Sequence, residues 1–370
     1  MSAHPTKPRL LTGDTPTGKL HLGHWVGSLE NRLAMQDTHD CFFLIANKHA
    51  FTTRADKPDD IRQSVIDVAT DWLAIGIDPE KSAMFVQSEV PAIDELTFFF
   101  AMLLPFNRVM RNPTLTQEIK DKNLGDKHSF GFPLYAVGQC ADILAFRPDV
   151  VPVGEDQAPH LEMTRDVARK FDQLYCGVDS HADDADYANL GGVLPVPKLK
   201  IGRVGRLPGI NGPVEPGGPL QKMSKSLDNA IFLGDSTDEL RAKVRAMYTD
   251  PARLRKTDAG NPDPSVNPLF AFLRSFHPDQ SWVDEQATAY AAGGDTAPGD
   301  MQLKNELVDV LDAILAPIRV KRQHFEERPD DVMDALKSGT ARANEVAEET
   351  LALCKSAMKQ DFFPRFIAIQ

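Results

Sequence analysis

Short apolar runs alternate with helix-length amphipathic stretches through the first 180 residues, and this alternation restricts the fold more than any other feature of the sequence. Runs typical of buried strands occupy residues 9–12, 41–46, 84–87 and 150–153. Helical patterns occupy residues 24–37, 59–75, 92–104 and 156–175. Buried strands that are separated by helices are typical of βαβ units on a parallel sheet. We therefore predict an α/β fold for this part of the chain.

The pattern changes after the α/β part. Residues 191–219 contain eight glycines and six prolines, which is the composition of a long loop. Strand patterns then cease after about residue 235, and helical patterns follow at 265–276, 281–292, 300–326 and 340–358. The predicted organisation is a catalytic α/β domain over residues 1–235 and an all-helical domain over residues 236–370.

Composition excludes several classes of protein. The chain carries 42% hydrophobic and 25% charged residues, so it can bury a core and is not mainly disordered. No apolar run approaches the roughly 20 residues of a membrane span, and the N-terminus has no signal-peptide pattern. Four widely spaced cysteines form no metal-ligand pair and favour a reduced, intracellular chain. The net charge of −12 argues against a protein that binds DNA non-specifically over its whole surface. It permits a local basic surface that binds RNA.

The first candidate motif, residues 13–24, directly follows the first predicted strand. Its sequence nearly matches the pattern of a phosphate-binding P-loop. However, Leu20 occupies the position where that pattern needs Ser or Thr, and Pro16 removes a backbone N–H. A better interpretation places His21 and His24 on one side of a helix start, with Gly23 allowing a flat base to approach the backbone. The alternative is two surface histidines beside a turn.

Two further segments have the residue types of a nucleotide site. Residues 222–226, LysMetSerLysSer, provide two lysines at the end of the Gly/Pro-rich loop and suit a mobile cationic clamp for a polyphosphate. Residues 151–157 end a predicted strand with Gly154, Glu155, Asp156 and Gln157, at the strand end where α/β sheets bind ligands. The alternative for residues 222–226 is a solvated Lys/Ser cluster at the end of a loop. The alternative for residues 155–157 is an acidic first turn of a helix.

Together these segments resemble a known family. HisLeuGlyHis at 21–24 and LysMetSerLysSer at 222–226 resemble the two signatures of class I aminoacyl-tRNA synthetases, in the same order. GlyGluAspGln at 154–157, CysAlaAspIleLeu at 140–144 and AsnLysHisAla at 47–50 resemble the tryptophanyl form. The resemblance extends from about residue 9 to residue 358.

The resemblance implies a Rossmann-fold catalytic domain, a helical domain that binds the tRNA anticodon, and a cytoplasmic homodimer without a membrane segment. The implied substrates are L-tryptophan, ATP with Mg²⁺, and tRNA(Trp), and no metal is held by the protein's own residues. Tryptophan and ATP would give tryptophanyl-adenylate and pyrophosphate, and the acyl group would then pass to the tRNA. Residues 94–106, apolar on more than one face, are the candidate dimer interface, with a buried core helix as the alternative.

The same resemblance assigns roles by position. The residues implied in catalysis are His21, His24, Lys222 and Lys225. Those implied in binding ATP are Thr15, Pro16, Thr17, Gly23, His24, Gly154, Glu155, Asp156, Leu207, Lys222, Met223, Ser224, Lys225 and Ser226. Those implied in binding tryptophan are Asp142, Tyr135, Gln139, His49 and Gln157. Thr15, His24 and Gln139 depart from residues common in bacterial relatives and resemble a divergent, second-type bacterial form.

Three other functions compete with this interpretation. A tyrosyl enzyme would place a tyrosine in the first strand to meet the substrate phenol, whereas this chain has Leu11. A shorter HxGH-type nucleotidyltransferase would not need the helical C-terminal third. A non-catalytic RNA-binding relative would be expected to lose signature lysines or histidines, and none is missing. Basic residues at 241–256 and 319–322 are candidate RNA contacts, with solvated helix faces as the alternative.

Overall fold

The computed structural model describes residues 7–121, 124–125, 128–154, 157–215 and 218–364 of the chain. The chain divides into two compact units. The first is drawn from residues 1–18, 31–201 and 328–370, and the second from residues 19–30 and 202–327.

The first unit is built on a five-stranded parallel sheet. Its strands are β1 (Arg9–Asp14), β2 (Asp40–Ile45), β3 (Ser82–Val86), β4 (Val150–Val153) and β5 (Lys198–Ile201). They lie in the order β3-β2-β1-β4-β5, with Leu10 of β1 beside Cys41 of β2 and Val150 of β4. This parallel sheet confirms the predicted α/β class, and its strand order reverses between β1 and β4.

The four predicted strands are confirmed, and β5 is an addition. Cys41 to Ile45 of β2 are all buried, as expected for a central strand covered on both faces. β5 has the sequence LysLeuLysIle and lies inside the Gly/Pro-rich segment that was expected to be loop throughout. It is a short edge strand with two lysines, a composition that protects an edge from pairing with other chains. Such a strand has little apolar signal, which explains why the pattern missed it.

Fourteen α-helices are described. In chain order they are α1 (Leu22–His24), α2 (Glu30–Met35), α3 (Asn47–Arg54), α4 (Pro58–Ile75), α5 (Pro91–Ala101), α6 (Phe106–Met110), α7 (Pro113–Asp121), α8 (Gly131–Leu144), α9 (Ala158–Phe171), α10 (Thr237–Ala246), α11 (Pro268–Phe276), α12 (Gln280–Ala292), α13 (Asp300–Glu326) and α14 (Pro329–Ala357). A π-helical turn, Trp25–Leu29, joins α1 to α2. The helical character expected after residue 235 is confirmed for the residues described there.

The last helix belongs to the first unit. α14 packs along the edge strand β3, where a Cβ on Gly339 would overlap the Met84 carbonyl oxygen. Asn344 Nδ2 also donates to the Glu89 carbonyl oxygen over 2.8 Å. The first compact unit therefore includes α14, which lies far beyond its other residues in sequence. Periodicity indicates that a helix has an apolar face but does not reveal which element that face will cover.

Candidate active site

The first signature, HisLeuGlyHis, forms a self-capped helix start in the second unit. His21 is the N-cap of α1, and its Nδ1 accepts from the Gly23 backbone N–H over 3.1 Å. The His21 backbone N–H in turn donates to Nδ1 of His24 over 3.2 Å. Because each Nδ1 is an acceptor, the neutral form of each ring carries its proton on Nε2. The local fold thus turns two imidazoles into N–H donors.

His21 is held in its neutral form. Its side chain is buried, and burial, reinforced by the positive charge of His24, Lys225 and Lys222, lowers the pKa of His21 far below its ordinary value. The two rings lie with centroids 3.9 Å apart. A Cβ on Gly23 would lie 2.9 Å from Cε1 of His21, so a side chain at this position would displace the ring.

The second signature lies in contact with the first within the same unit. The Gly23 Cβ position is 3.7 Å from Cβ of Met223. The Met223 N–H donates to the Leu207 carbonyl oxygen over 3.3 Å, and Leu207 itself is buried. Lys222 is exposed and Lys225 half-buried at the start of the turn Lys225–Leu227. The side chain of Ser226 lies outside the described residues.

Asn229 fixes the backbone of the second signature. Its side chain is fully buried, its Oδ1 accepts from the Ser224 N–H over 2.7 Å, and its Nδ2 donates to the Lys222 carbonyl oxygen over 3.2 Å. Sequence analysis missed Asn229. Its only signal in the sequence was an amide three positions after the cationic motif, where a loop needs partners for its backbone groups.

In the first unit, the candidate nucleotide residues follow the carboxyl ends of β1 and β4. Thr15 is exposed, Pro16 buried and Thr17 half-buried in the loop after β1. After β4, the Gly154 carbonyl oxygen accepts from the Gln157 N–H over 3.0 Å. The predicted residues Glu155 and Asp156 lie outside the described residues. Because the strand order reverses between these two strands, their ends form the crevice where α/β sheets bind ligands.

The loop after β1 has a rigid base. Asp14 Oδ2 accepts from Arg32 Nη1 over 2.7 Å and from the indole N–H of Trp72 over 3.0 Å. Both donors are fully buried, so the last residue of β1 cannot shift without breaking a buried ion pair. This network therefore determines where the loop of residues 15–17 begins.

A cavity of about 240 Å³ lies at the same end of the first unit. It is lined by Lys48, His49, Phe51, Thr52, Gln87, Ile93, Asp94, Thr97, Ser129, Gly131, Leu134, Tyr135 and Gly138. Two of the predicted tryptophan-binding residues, His49 and Tyr135, are among these, with ring centroids 5.5 Å apart. Burial, and to a smaller extent the Glu118 carboxylate, raises the pKa of Tyr135, so the phenol stays protonated.

Two more of the predicted tryptophan-binding residues are paired with each other. Gln139 Nε2 donates to Gln157 Oε1 over 3.3 Å. Gln139 lies on α8, and Gln157 is the residue before α9. Four of the five predicted residues thus form two pairs, His49 with Tyr135 and Gln139 with Gln157.

The fifth predicted residue, Asp142, is a buried carboxylate next to the cavity wall. Its Oδ1 accepts from Gln87 Nε2 over 2.7 Å, and its Oδ2 lies 3.3 Å from His49 Nε2. No donor among the described residues makes a hydrogen bond to Oδ2. Burial raises the pKa of Asp142 to about 7, and burial lowers the pKa of His49 to about 4. A buried acceptor without a donor is costly unless a ligand supplies one.

Gln87 was missed as a site residue. It follows β3 directly, so its signal was a polar residue at the carboxyl end of a buried parallel strand. Among the described residues, no group of three or more His, Cys, Asp or Glu side chains could hold a metal ion. Within the same described part, no helix has both the length and the apolar character to cross a membrane.

Comparison with known proteins gives a consistent result. Residues 4–316 match the family model described as tRNA synthetases class I (W and Y). A tryptophan–tRNA ligase of Lactococcus lactis is 44% identical over 97% of this chain and 99% of its own length, and one of Clostridium longisporum is 42% identical over 96% and 98%. A crystal structure of tryptophanyl-tRNA synthetase from Campylobacter jejuni, complexed with ADP and tryptophan, superimposes with a TM-score of 0.75, covering 95% of this chain and 99% of that one at 26% identity.

Proposed function

This chain belongs to the class I tRNA synthetases for tryptophan and tyrosine, and we propose from that premise how its residues perform the reaction of a tryptophan–tRNA ligase. The enzyme activates L-tryptophan with ATP and transfers the product to tRNA(Trp). The observation that supports our assignment of the amino-acid site is the buried Oδ2 of Asp142, which no described residue supplies with a hydrogen bond.

Asp142 accepts the indole N–H of tryptophan in this proposal. The indole N–H is the one polar group of the tryptophan side chain, and it is a donor only. Tyrosine and phenylalanine have no donor at that position, so the buried oxygen would stay unpaired with either of them. Leu11 in the first strand is buried and apolar, and it offers a tyrosine hydroxyl no partner. Tyr135, His49, Gln139 and Gln157 form the remainder of the tryptophan site.

ATP enters as its Mg²⁺ complex. Thr15, Pro16 and Thr17, with Gly23, contact the nucleotide, while Gly154, Glu155, Asp156 and Leu207 hold adenosine. The Nε2–H groups of His21 and His24 and the residues from Lys222 to Ser226 surround the phosphates. Mg²⁺ bound with ATP would offset part of the negative charge of the phosphates. The Campylobacter jejuni structure, which contains ADP and tryptophan, supports the use of an adenine nucleotide here.

The first step needs no nucleophile from the protein. A carboxylate oxygen of tryptophan attacks the α-phosphorus, the bond to the oxygen that bridges to the β-phosphorus breaks, and pyrophosphate leaves with the electron pair. Negative charge grows on the leaving group, and the ammonium groups of Lys222 and Lys225 stabilise it. Neutral His21 donates a hydrogen bond from Nε2 without repelling the lysines, and His24 offers a second N–H donor. Preorganised donors of this kind commonly provide the largest part of catalysis.

In the second step, a hydroxyl of the terminal ribose of tRNA(Trp) attacks the tryptophanyl carbonyl and AMP leaves. We propose that the helices of residues 236–370 contact the anticodon and that the reaction takes place in the cytoplasm. Arg255, Lys256 and Lys321 are exposed and available to RNA phosphates. Arg253 instead is buried and paired with Asp300 over 2.8 Å, so it stabilises the second unit.

A homodimer forms through the end of α5 in this proposal. Phe98, Met102 and Phe106 are each more than 60% exposed, at 65%, 67% and 63%. Phe98 lies on α5, Met102 is the C-cap of that helix, and Phe106 begins α6 after an extended Pro105, so the three follow one another around the end of α5. Large exposed apolar side chains in such a row mark an interaction surface more often than an ordinary surface.

The assignment is tested by amino-acid-dependent pyrophosphate exchange with tryptophan, tyrosine and phenylalanine. The wild-type chain should prefer tryptophan, and Asp142→Ala should lower kcat/KM for tryptophan by about 10³-fold or more. The KM for ATP should hardly change. Asp37→Ala, which removes an exposed carboxylate, is the matched control. A wild-type preference for tyrosine, or normal use of tryptophan by Asp142→Ala, would show the assignment to be wrong.

A further inference from the structure

Gln87 is a buried amide with all of its described polar contacts made to the wall of the tryptophan site. It is 2% exposed and begins the short helical turn Gln87–Glu89 after β3. Its Oε1 accepts from the backbone N–H of Lys48 over 3.0 Å. This bond fixes the orientation of the amide, because the nitrogen must then point the other way, toward Asp142 and His49.

The amide nitrogen of Gln87 contacts both side chains. Nε2 donates to Asp142 Oδ1 over 2.7 Å and lies 3.1 Å from His49 Nε2. A donor facing His49 Nε2 favours the tautomer with its proton on Nδ1. His49 then cannot donate to Asp142 Oδ2, which is 3.3 Å away. The Gln87 amide therefore donates a hydrogen bond to Oδ1 of Asp142. It also prevents His49, the nearest candidate donor, from donating to Oδ2.

The backbone on either side of Gln87 is held by α14. The Val86 N–H lies 3.5 Å from its acceptor, Thr340 Oγ1, and Asn344 Nδ2 donates to the Glu89 carbonyl oxygen over 2.8 Å. Gly339 packs against the backbone of Met84 in the same strand. A residue whose neighbours are fixed on both sides has little freedom to follow a moving partner, so the amide can serve as a rigid support.

We propose that Gln87 is a positioning residue for tryptophan specificity, which holds the Asp142 carboxylate at the angle where Oδ2 meets the indole N–H. The inference rests on the proposed role of Asp142. Without the amide, the carboxylate can rotate about its Cβ–Cγ bond and lose the geometry of the hydrogen bond. Supporting residues of this kind typically contribute about 10- to 100-fold, as the outer ligands of metal sites do.

The test is a double-mutant cycle of Gln87→Met and Asp142→Ala, measured by pyrophosphate exchange. Methionine keeps the length of glutamine but cannot donate. Gln87→Met alone should raise the KM for tryptophan by about 10- to 100-fold, with little change in kcat or in the KM for ATP. Selectivity for tryptophan over its indole N-methyl derivative should fall in parallel. In the Asp142→Ala background, Gln87→Met should change the KM less than about twofold, because its partner is gone.

Additive losses in the cycle would overturn the proposal, because Gln87 would then act on the substrate or on the fold without Asp142. Such a result would leave the preference of the wild-type chain for tryptophan intact. The proposed function fails separately, if the wild-type chain does not prefer tryptophan. Gln63→Met, an exposed glutamine on α4, is the matched control and should leave all constants unchanged.

Gln87→Glu provides a second test, which does not depend on whether the fold accepts a methionine at position 87. The acid keeps the acceptor for the Lys48 N–H. When protonated it can donate to Asp142, and when ionised it repels the carboxylate. The titratable or charged groups that face the pair from the surrounding helices are Lys48 and His49 of α3, Asp94 of α5, Tyr135 and Cys140 of α8, and His160 of α9. The KM for tryptophan should therefore rise more steeply with pH in Gln87→Glu than in the wild type. Parallel pH profiles would contradict the proposal.

Discussion

Asp142 and His49 are buried side by side, and burial changes their protonation in opposite directions. The pKa of Asp142 rises from 3.8 to about 7, whereas that of His49 falls from 6.5 to about 4. Both shifts favour uncharged side chains in the unliganded site. The stability of the first unit should therefore depend on pH through two opposing contributions.

The sign of each contribution follows from proton binding. Between pH 4 and 7 the folded chain keeps a proton on Asp142 that the unfolded chain has lost, so this contribution to stability falls as pH rises. Asp142→Asn removes this contribution, so the melting temperature of the variant relative to wild type should increase from pH 4 to pH 8. The corresponding change in the free energy of unfolding should be at most about a few kcal/mol. Thermal melts of the unliganded protein across this range measure it, and a pH-independent difference would contradict the expectation.

His49→Gln is the matched comparison. Between pH 4 and 6.5 the unfolded chain protonates His49 while the folded chain does not, so the wild type loses stability as pH falls. The stability of His49→Gln relative to wild type should therefore be highest near pH 4, and the two should be equally stable above pH 6.5 as far as this contribution is concerned. The two variants should show opposite pH trends.

Sequence analysis proposed residues for the site but could not give the interactions between them. Asp142 was identified by its local segment, which resembles the tryptophanyl family. Gln87 was not identified, because its role depends on contacts with Lys48 and Asp142, which lie 39 and 55 positions away. Such contacts arise only when β3, α3 and α8 pack together.

At the scale of elements, the second signature is a loop whose backbone is fixed while its two lysines supply charge. Replacing both Lys222 and Lys225 with alanine should slow adenylate formation by orders of magnitude, because the leaving pyrophosphate loses its cations. Tryptophan binding should barely change. Pyrophosphate exchange and tryptophan titration measure the two effects, with Lys337→Ala, an exposed lysine on α14, as the control. Near-normal exchange in the double variant would refute this role.

The elements themselves were predictable where their apolar signal was strong. The strands β1 to β4 are buried apolar runs, and the N-cap of α10, Ser236, forms a capping box with Glu239, two residue types that favour a helix start. β5 was not predicted, since two of its four residues are lysines. The packing of α14 on β3 was not predicted either, because it joins segments 254 positions apart.

At the scale of the whole molecule, the exposed row of Phe98, Met102 and Phe106 leads to a prediction about assembly. Size measurement in solution should give about twice the chain mass of 40.9 kDa. Changing Phe98 and Met102 together to glutamate should give a monomer, because charges in an apolar interface are costly. Leu254→Glu, at a position in the second unit that is 86% exposed, should leave the assembly intact. An active wild-type monomer would contradict the prediction.

The order of synthesis has a consequence for the edge of the sheet that α14 covers. β3 leaves the ribosome early, but residues 329–357 emerge only after the whole second unit has been made. Throughout that interval the outer strand keeps unpaired backbone groups, which other nascent chains can join as an added strand. Completion of the first unit therefore has to wait for synthesis of the second unit, and chains released before residue 329 should be prone to aggregation and to recognition by chaperones and proteases.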